Sequence, residues 1–209
     1  MSDFSLIETM RWEPGTGIVR LRLHLARLKR SAGRLGFPGA DKAAEKLSEV
    51  LGESVPLRVR LTLSPAGEIA ITTAPFSPLP EETIWRVAVA TARLDSTDKL
   101  LRHKTTRRDI YEAARAEYPA AEADEVLLLN ERGAPCEGTI TSIFLDDGSA
   151  ILKTPPIACG LLAGVLRTEM ICARRARVQR LTLADLQTGT LYMGNSLRGM
   201  IRAQLLPGN

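Results

Sequence analysis

Residues 124–152, DEVLLLNERGAPCEGTITSIFLDDGSAIL, carry the pattern that decides the fold class. Runs rich in Val, Ile, Leu and Phe, parted by NERG and DDGS, read as three strands joined by turns. Upstream, IWRVAVATARL (84–94) reads as another strand, and RHKTTRRDIYEAAR (102–115) as a helix with Ile110, Ala113 and Ala114 at helical spacing. Downstream, a helix is expected from about Leu162 to Arg175, then a short strand at LYM (191–193), a turn and a further helix. Nearer the N-terminus, RLHLARLKRSAGRLGF (22–37) sets Leu25, Leu28, Ala32 and Leu35 on one helical face, with Gly36 placed to stop the helix. DKAAEKLSEVLG (41–52) predicts a second helix, capped by Asp41 and ended by Gly52. In PLRVRLTLSPAGEIAITT (56–73), Leu57, Val59, Leu61 and Leu63 alternate with polar residues before a turn at Ser64–Gly67, the pattern of a hairpin. The proline-rich PFSPLPEE (75–82) marks a linker. The architecture expected is therefore mixed α/β (α+β) in two lobes: a smaller N-terminal one over residues 1–80 and a C-terminal one over 81–209.

Composition narrows the chemistry. At 209 residues the chain can bury a sizeable core. No apolar run approaches the roughly 18 residues of a membrane span. MSDFSLIETMRW lacks the apolar core of a secretory signal, so a cytoplasmic protein is expected. Cys136, Cys159 and Cys172 are odd in number and have no CxxC spacing, which argues against a disulfide framework or a cysteine zinc site. With only His24 and His103, a multi-histidine metal site is not expected either. The net charge of +4 raises nucleic acid as a partner, but basic residues are scattered among acids and stacking aromatics are few. The reading is no nucleic acid and no membrane. Chemistry is left to lysine, carboxylates, hydroxyls or a cofactor.

Lys104 precedes Thr105, Thr106 and the helical run, and Asp109 stands three residues after Thr106, the spacing of a capping box. A lysine fixed at a helix entrance beside Arg107 and Arg108 would have its amine pKa lowered and become a nucleophile toward carbonyls. The other reading of the same residues is a solvated surface lysine.

The ordered set LIET, HLARL, HKTTRR, DEVLLLNERGAPCEGTITSIF, PPIACGLLAGVLR and GNSLRG, spread over residues 6–199, resembles the class IV aminotransferase family. The resemblance implies a two-lobed, fold-type IV pyridoxal-phosphate enzyme, similar to the D-amino acid aminotransferases, with the cofactor in the cleft between lobes. By that resemblance Lys104, expected on the C-terminal lobe, forms the Schiff base with pyridoxal 5'-phosphate and then transfers protons. Glu137 keeps the ring nitrogen protonated. Arg27, the amides of Val165 and Leu166 after Gly164, and Asn195 with Ser196 hold the phosphate or contact substrate. Taken without the family, Glu137 also reads as a turn acid, Arg27 as part of a basic helix face with Lys29 and Arg30, Gly164 as a packing glycine, and Asn195–Ser196 as a plain turn.

The chain departs from the family pattern at Ser142, where many relatives have asparagine, at Ala163, which replaces a common proline, and at Ala123, where the branched-chain enzymes carry a tyrosine. Its front is also shorter. LIETMRWEPG, HLARLKRSAGRLGF and TPPIACGLLAGVLR look most like the branch acting on 4-amino-4-deoxychorismate, which implies a lyase yielding 4-aminobenzoate and pyruvate on the folate route. The resemblance also implies a homodimer acting on a small molecule. A transaminase for branched-chain or D-amino acids and a non-catalytic basic binding module are the alternatives.

Overall fold

The expected hairpin forms, and its alternation explains why. The computed structural model describes residues 3–49 and 54–207. In the first of its two compact units, strands β1 (Leu6–Glu13), β2 (Gly17–Ile18), β3 (Leu57–Leu63) and β4 (Ile69–Pro75) make an antiparallel sheet in the order β2-β1-β3-β4. Leu57, Val59, Leu61 and Leu63 are buried while Arg58 and Arg60 are exposed, so period-two patterning puts one face of β3 into the core. Two helices, α1 (Leu21–Leu35) and α2 (Ala43–Ser48), contribute Leu28, Ala32, Ala43 and Leu47 to the same cluster as Leu6 and Met10 of β1. Burial of each such Leu or Val stabilises by about 1.5–3 kcal/mol.

Helix α1 ends where expected, Gly36 adopting φ 76° as its C-cap. The second helix differs from expectation. Asp41 does not cap it but lies inside a short 3-10 turn, Ala40–Lys42, and the predicted stop at Gly52 lies outside the described residues.

The second unit holds β5 (Ile84–Leu94), α3 (Asp109–Ala116), β6 (Glu125–Asn130), β7 (Pro135–Gly138), β8 (Ser142–Asp146), β9 (Leu152–Thr154), α4 (Val165–Cys172), β10 (Ala176–Val178), α5 (Leu183–Thr188), β11 (Thr190–Asn195) and β12 (Gly199–Leu205). The eight strands run β10-β9-β8-β11-β12-β5-β6-β7, and β7 pairs again with β8, so that six of them return on themselves. Strand β6 is buried on both faces, Leu127 and Leu129 in one cluster and Val126 and Leu128 in another. That is why it reads as an unbroken apolar run.

Three expectations give way here. The segment read as three strands makes four, because the middle run folds back at Gly138–Thr141, where Gly138 N–H donates to Thr141 O at 2.8 Å. The helix expected from Leu162 to Arg175 is the shorter α4, which is followed by Arg174 at φ 58°. The C-terminal helix is instead β12, in which buried Ile201 and Ala203 alternate with exposed Arg202 and Gln204.

Membership of the units also differs from a single cut near residue 80. The first comprises Met1–Leu79, His103–Arg107 and Ser196–Arg198, and the second Pro80–Arg102, Arg108–Asn195 and Gly199–Asn209. Lys104 thus belongs to the first unit, not to the C-terminal part. Among the described residues no helix is long and apolar enough to cross a membrane.

Candidate active site

In the first unit, Lys104 is held by its backbone. Strand β1 uses one edge for β3, and on the other Leu6 bridges Thr105 antiparallel. Ile7 N–H donates to Lys104 O, and Thr106 N–H to Ser5 O, each at 2.9 Å. Ser5 N–H donates to Thr106 Oγ1 at 2.9 Å, so this hydroxyl does not cap α3. The N-cap of α3 is Arg108, without a side-chain cap bond, and the expected capping box is absent there. Lys104 is therefore fixed by strand-like pairing to β1, which leaves it half-buried.

A second cluster in that unit went largely unread. Glu8 sits between Leu6 and Met10 on the buried face of β1 and is 2% exposed. Arg27 Nε donates to Glu8 Oε1 at 2.8 Å and Nη2 to Oε2 at 2.6 Å, a bidentate fork. His24 is fully buried, its Nδ1 2.6 Å from Glu8 Oε2 and its Nε2 2.7 Å from Ser196 Oγ. Burial alone would raise the Glu8 carboxyl, but the Arg27 charge and the bonds from His24 and Arg27 outweigh it and hold the group at about 2. For His24, burial lowers the pKa against the opposing pull of Glu8. Arg27 is thus neither a plain basic helix face nor a free cation. Its fork is oriented by a carboxylate.

The second unit carries Glu137, Val165, Leu166 and Asn195. Glu137, on β7, is 5% exposed, and its Oε1 accepts from Tyr111 OH at 2.7 Å and from Leu162 N–H at 3.2 Å. Burial, followed by the Glu137 charge, pushes the Tyr111 phenol far above its ordinary range, so it stays a donor. The Arg108 guanidinium lies 4.6 Å from the centre of the Tyr111 ring.

Beneath the β7–β8 turn, the buried Glu125 carboxylate gathers five donors. Val126 N–H, Thr139 N–H and Thr139 Oγ1 reach Oε1 at 2.9, 3.1 and 2.5 Å. Ile140 N–H and Thr141 Oγ1 reach Oε2 at 3.2 and 2.9 Å. This fixes the residues immediately after Glu137. Asn195 Nδ2 donates to Ile140 O of the same turn at 3.2 Å.

Helix α4 starts at Gly164 without a side-chain cap, leaving the first-turn amides of Val165 and Leu166 to another acceptor. A Cβ at Gly164 would lie 2.5 Å from Ser142 Oγ, so a side chain there would have to displace the Ser142 hydroxyl of β8. Arg167, 3% exposed, closes the preceding loop by donating to Thr154 Oγ1 at 3.2 Å and to Pro155 O at 2.7 Å.

The sequence reading named Arg27, Lys104, Glu137, Val165, Leu166, Asn195 and Ser196. Arg27 and Ser196 meet through Glu8 and His24 in the first unit, while Glu137 in the second is tied to the loop that leads into α4. Tyr111, Glu8, His24, Glu125 and Arg167 were missed. Tyr111 follows Lys104 by seven residues on the helix already singled out, and the other four lie inside the quoted motifs LIET, HLARL, DEVLLLN and GLLAGVLR without having been given a role.

A sequence model of the amino-transferase class IV family matches residues 5–206. A provisionally named aminodeoxychorismate lyase of Schizosaccharomyces pombe is 32% identical over 178 residues, covering 82% of this chain and 74% of the relative. Among solved structures, a provisionally named amino-acid aminotransferase of Mesorhizobium loti has a TM-score of 0.94 at 49% identity, covering 98% of this chain and 100% of that one. A 4-amino-4-deoxychorismate lyase of Pseudomonas aeruginosa has a TM-score of 0.80 at 24% identity, covering 98% and 84%, a likeness of fold. With the mixed α/β architecture and the match over nearly its whole length, the chain belongs to the amino-transferase class IV family of pyridoxal-phosphate-dependent enzymes.

Proposed function

We propose that the chain is a pyridoxal-phosphate-dependent 4-amino-4-deoxychorismate lyase that forms 4-aminobenzoate and pyruvate. The observation that carries the cofactor reading is the link between Glu137 and the approach to α4. One buried carboxylate oxygen takes both a phenol that stays protonated and the amide of Leu162, two residues before the uncapped start of α4. An acid for a ring nitrogen and amides for a phosphate thus lie on connected pieces of backbone. That fits a phosphorylated pyridine.

When bound, pyridoxal phosphate supplies an electron sink for negative charge developing beside the substrate nitrogen. Lys104 would hold the cofactor covalently through Nζ and move the proton released as the substrate ring becomes aromatic. Glu137, oriented by Tyr111, would keep a proton on the ring nitrogen. The N–H groups of Arg27 not engaged by Glu8 would take up an anion, and the first-turn amides of Val165 and Leu166 would bind phosphate oxygens. Asn195, anchored on Ile140 O, would border the same group.

The lyase reading is supported by the Schizosaccharomyces pombe relative. A second reading, amino transfer to a keto acid, is favoured by the 49% identical Mesorhizobium loti protein. The two share every residue named above, because both start with loss of a proton beside the amine; they differ in the fate of the electrons. The deciding experiment supplies aminodeoxychorismate without keto acid. Equimolar aminobenzoate and pyruvate over many turnovers supports the lyase. No product, with rapid amino transfer from an amino acid to 2-oxoglutarate, establishes the transaminase. As further parts of the proposal, the enzyme is a homodimer working in the cytoplasm on the folate route, with light scattering as the check on assembly.

A further inference from the structure

Arg27, Glu8, His24 and Ser196 form one buried chain of hydrogen bonds, and its proton positions can be worked out. A carboxylate only accepts, and the Arg27 fork already lies on Glu8, so the 2.6 Å contact with His24 must come from Nδ1–H. A neutral imidazole then bears a lone pair on Nε2. At 2.7 Å, Ser196 Oγ must donate to it. The hydrogen of the serine hydroxyl is committed inward, and the oxygen offers any ligand lone pairs alone. A dianionic phosphate has no proton to give to that oxygen, so the side chain of Ser196 in this state does not suit the contact expected of it.

Adding a proton to Nε2 reverses the last link. The ring then donates at both nitrogens, Ser196 Oγ becomes the acceptor, and its own hydrogen is released toward the ligand. The charged groups bearing on His24 are Glu8 of β1, Arg27 of α1 and Arg20 just ahead of α1, whose Nη1 also donates to Ser196 O at 3.4 Å. With Glu8 and Arg27 cancelling, protonation adds a local positive charge. An anion at the free edge of Arg27 or at Ser196 would favour it.

We propose that Glu8 and His24 form a proton-coupled relay that sets the polarity of the Ser196 hydroxyl, so that a phosphate-type dianion binds with uptake of one proton at His24. The inference rests on the cofactor reading only for the identity of the anion. Neutral His24 is the resting form, as its full burial and lowered pKa agree.

The chain has two histidines, so His103→Gln leaves His24 as the only imidazole for nitrogen NMR. The expected spectrum at neutral pH is the Nδ1–H tautomer with a strongly deshielded proton; an Nε2–H tautomer, or an imidazolium throughout, overturns the relay. This readout needs no substrate and is unaffected by whether the enzyme is a lyase or a transaminase. Sulfate, a dianion over the whole working range, is then titrated from pH 8.5 to 5.5. Its affinity should rise toward low pH by up to ~tenfold per pH unit, as linkage to a single proton requires. In His24→Gln, which still offers a donor to Glu8 and an acceptor to Ser196 but does not titrate, the profile should be flat. A flat profile or no sulfate binding in the parent protein, or the parent slope in the glutamine variant, refutes the coupling.

Discussion

Replacing Glu125 by glutamine tests how the turn after Glu137 is held. The carboxylate accepts five bonds and every partner is a donor, three through backbone N–H and two through threonine hydroxyls. Glutamine has the same shape but turns one oxygen into an NH2. The less costly orientation puts the amide nitrogen at Oε2, where Thr141 can rotate its hydroxyl to accept, but Ile140 N–H then faces another donor. Ile140 is 46% exposed, so its N–H without a partner costs about 1 kcal/mol, the low end of the range for a buried donor. Loss of the charged character of the remaining three bonds adds on the order of 1 kcal/mol. Glu125→Gln should therefore be destabilised by roughly 2 kcal/mol, seen as a lower urea midpoint at unchanged m-value. Turnover should fall as well, since the loosened Gly138–Thr141 turn directly follows Glu137. An unfolding free energy within about 0.5 kcal/mol of the parent would refute the reasoning, for it would mean water or a backbone shift satisfies Ile140 as well as the carboxylate does.

Glu8, held at about 2 from an ordinary 4.5, contributes stability that is fully present above pH 4.5 and is lost as pH falls toward 2; the interval corresponds to roughly 3 kcal/mol, and acid titration of the urea midpoint should lose that part of its slope in Glu8→Gln. Glu137→Gln should retain bound cofactor but slow turnover by an amount on the order of a few kcal/mol in barrier, measured by single-turnover kinetics; unchanged rates would mean that the acid does not serve the ring nitrogen. Borohydride reduction followed by peptide mapping should place the cofactor on Lys104, and a label on Lys99 or Lys153 would remove Lys104 from the site.

What the sequence disclosed follows from how local its cause is. Gly36 ends α1 because a left-handed residue is needed there, and β3 alternates because one face is buried; both facts sit within a few residues of their effect. The β7–β8 break was hidden because its cause, Glu125, acts from a different strand on residues fourteen to sixteen positions later. Likewise, Leu25, Leu28, Ala32 and Leu35 declared the apolar side of α1, but His24, Arg27 and Ser31 are buried as well. Apolar spacing assigns charged residues outward by default. Only the strand that brings Glu8 beneath them reverses that assignment.

Glu8 also changes how any substitution of Arg27 must be read. Truncating the arginine to weaken phosphate binding would leave a carboxylate that is 2% exposed without its main cationic partner, and breaking such a pair from one side typically costs 3–5 kcal/mol. Lost affinity in Arg27→Ala would then mix a damaged core with a missing ligand. Replacing Glu8 and Arg27 together by an uncharged pair removes that penalty, because no charge is left buried alone. The part of the affinity loss that survives in the double variant belongs to the anion site, which also loses the Glu8–His24 setting of Ser196, so His24→Gln serves as the control for that share. Since two of the five N–H groups of the guanidinium serve Glu8, what remains after that control reflects the outer edge of the fork.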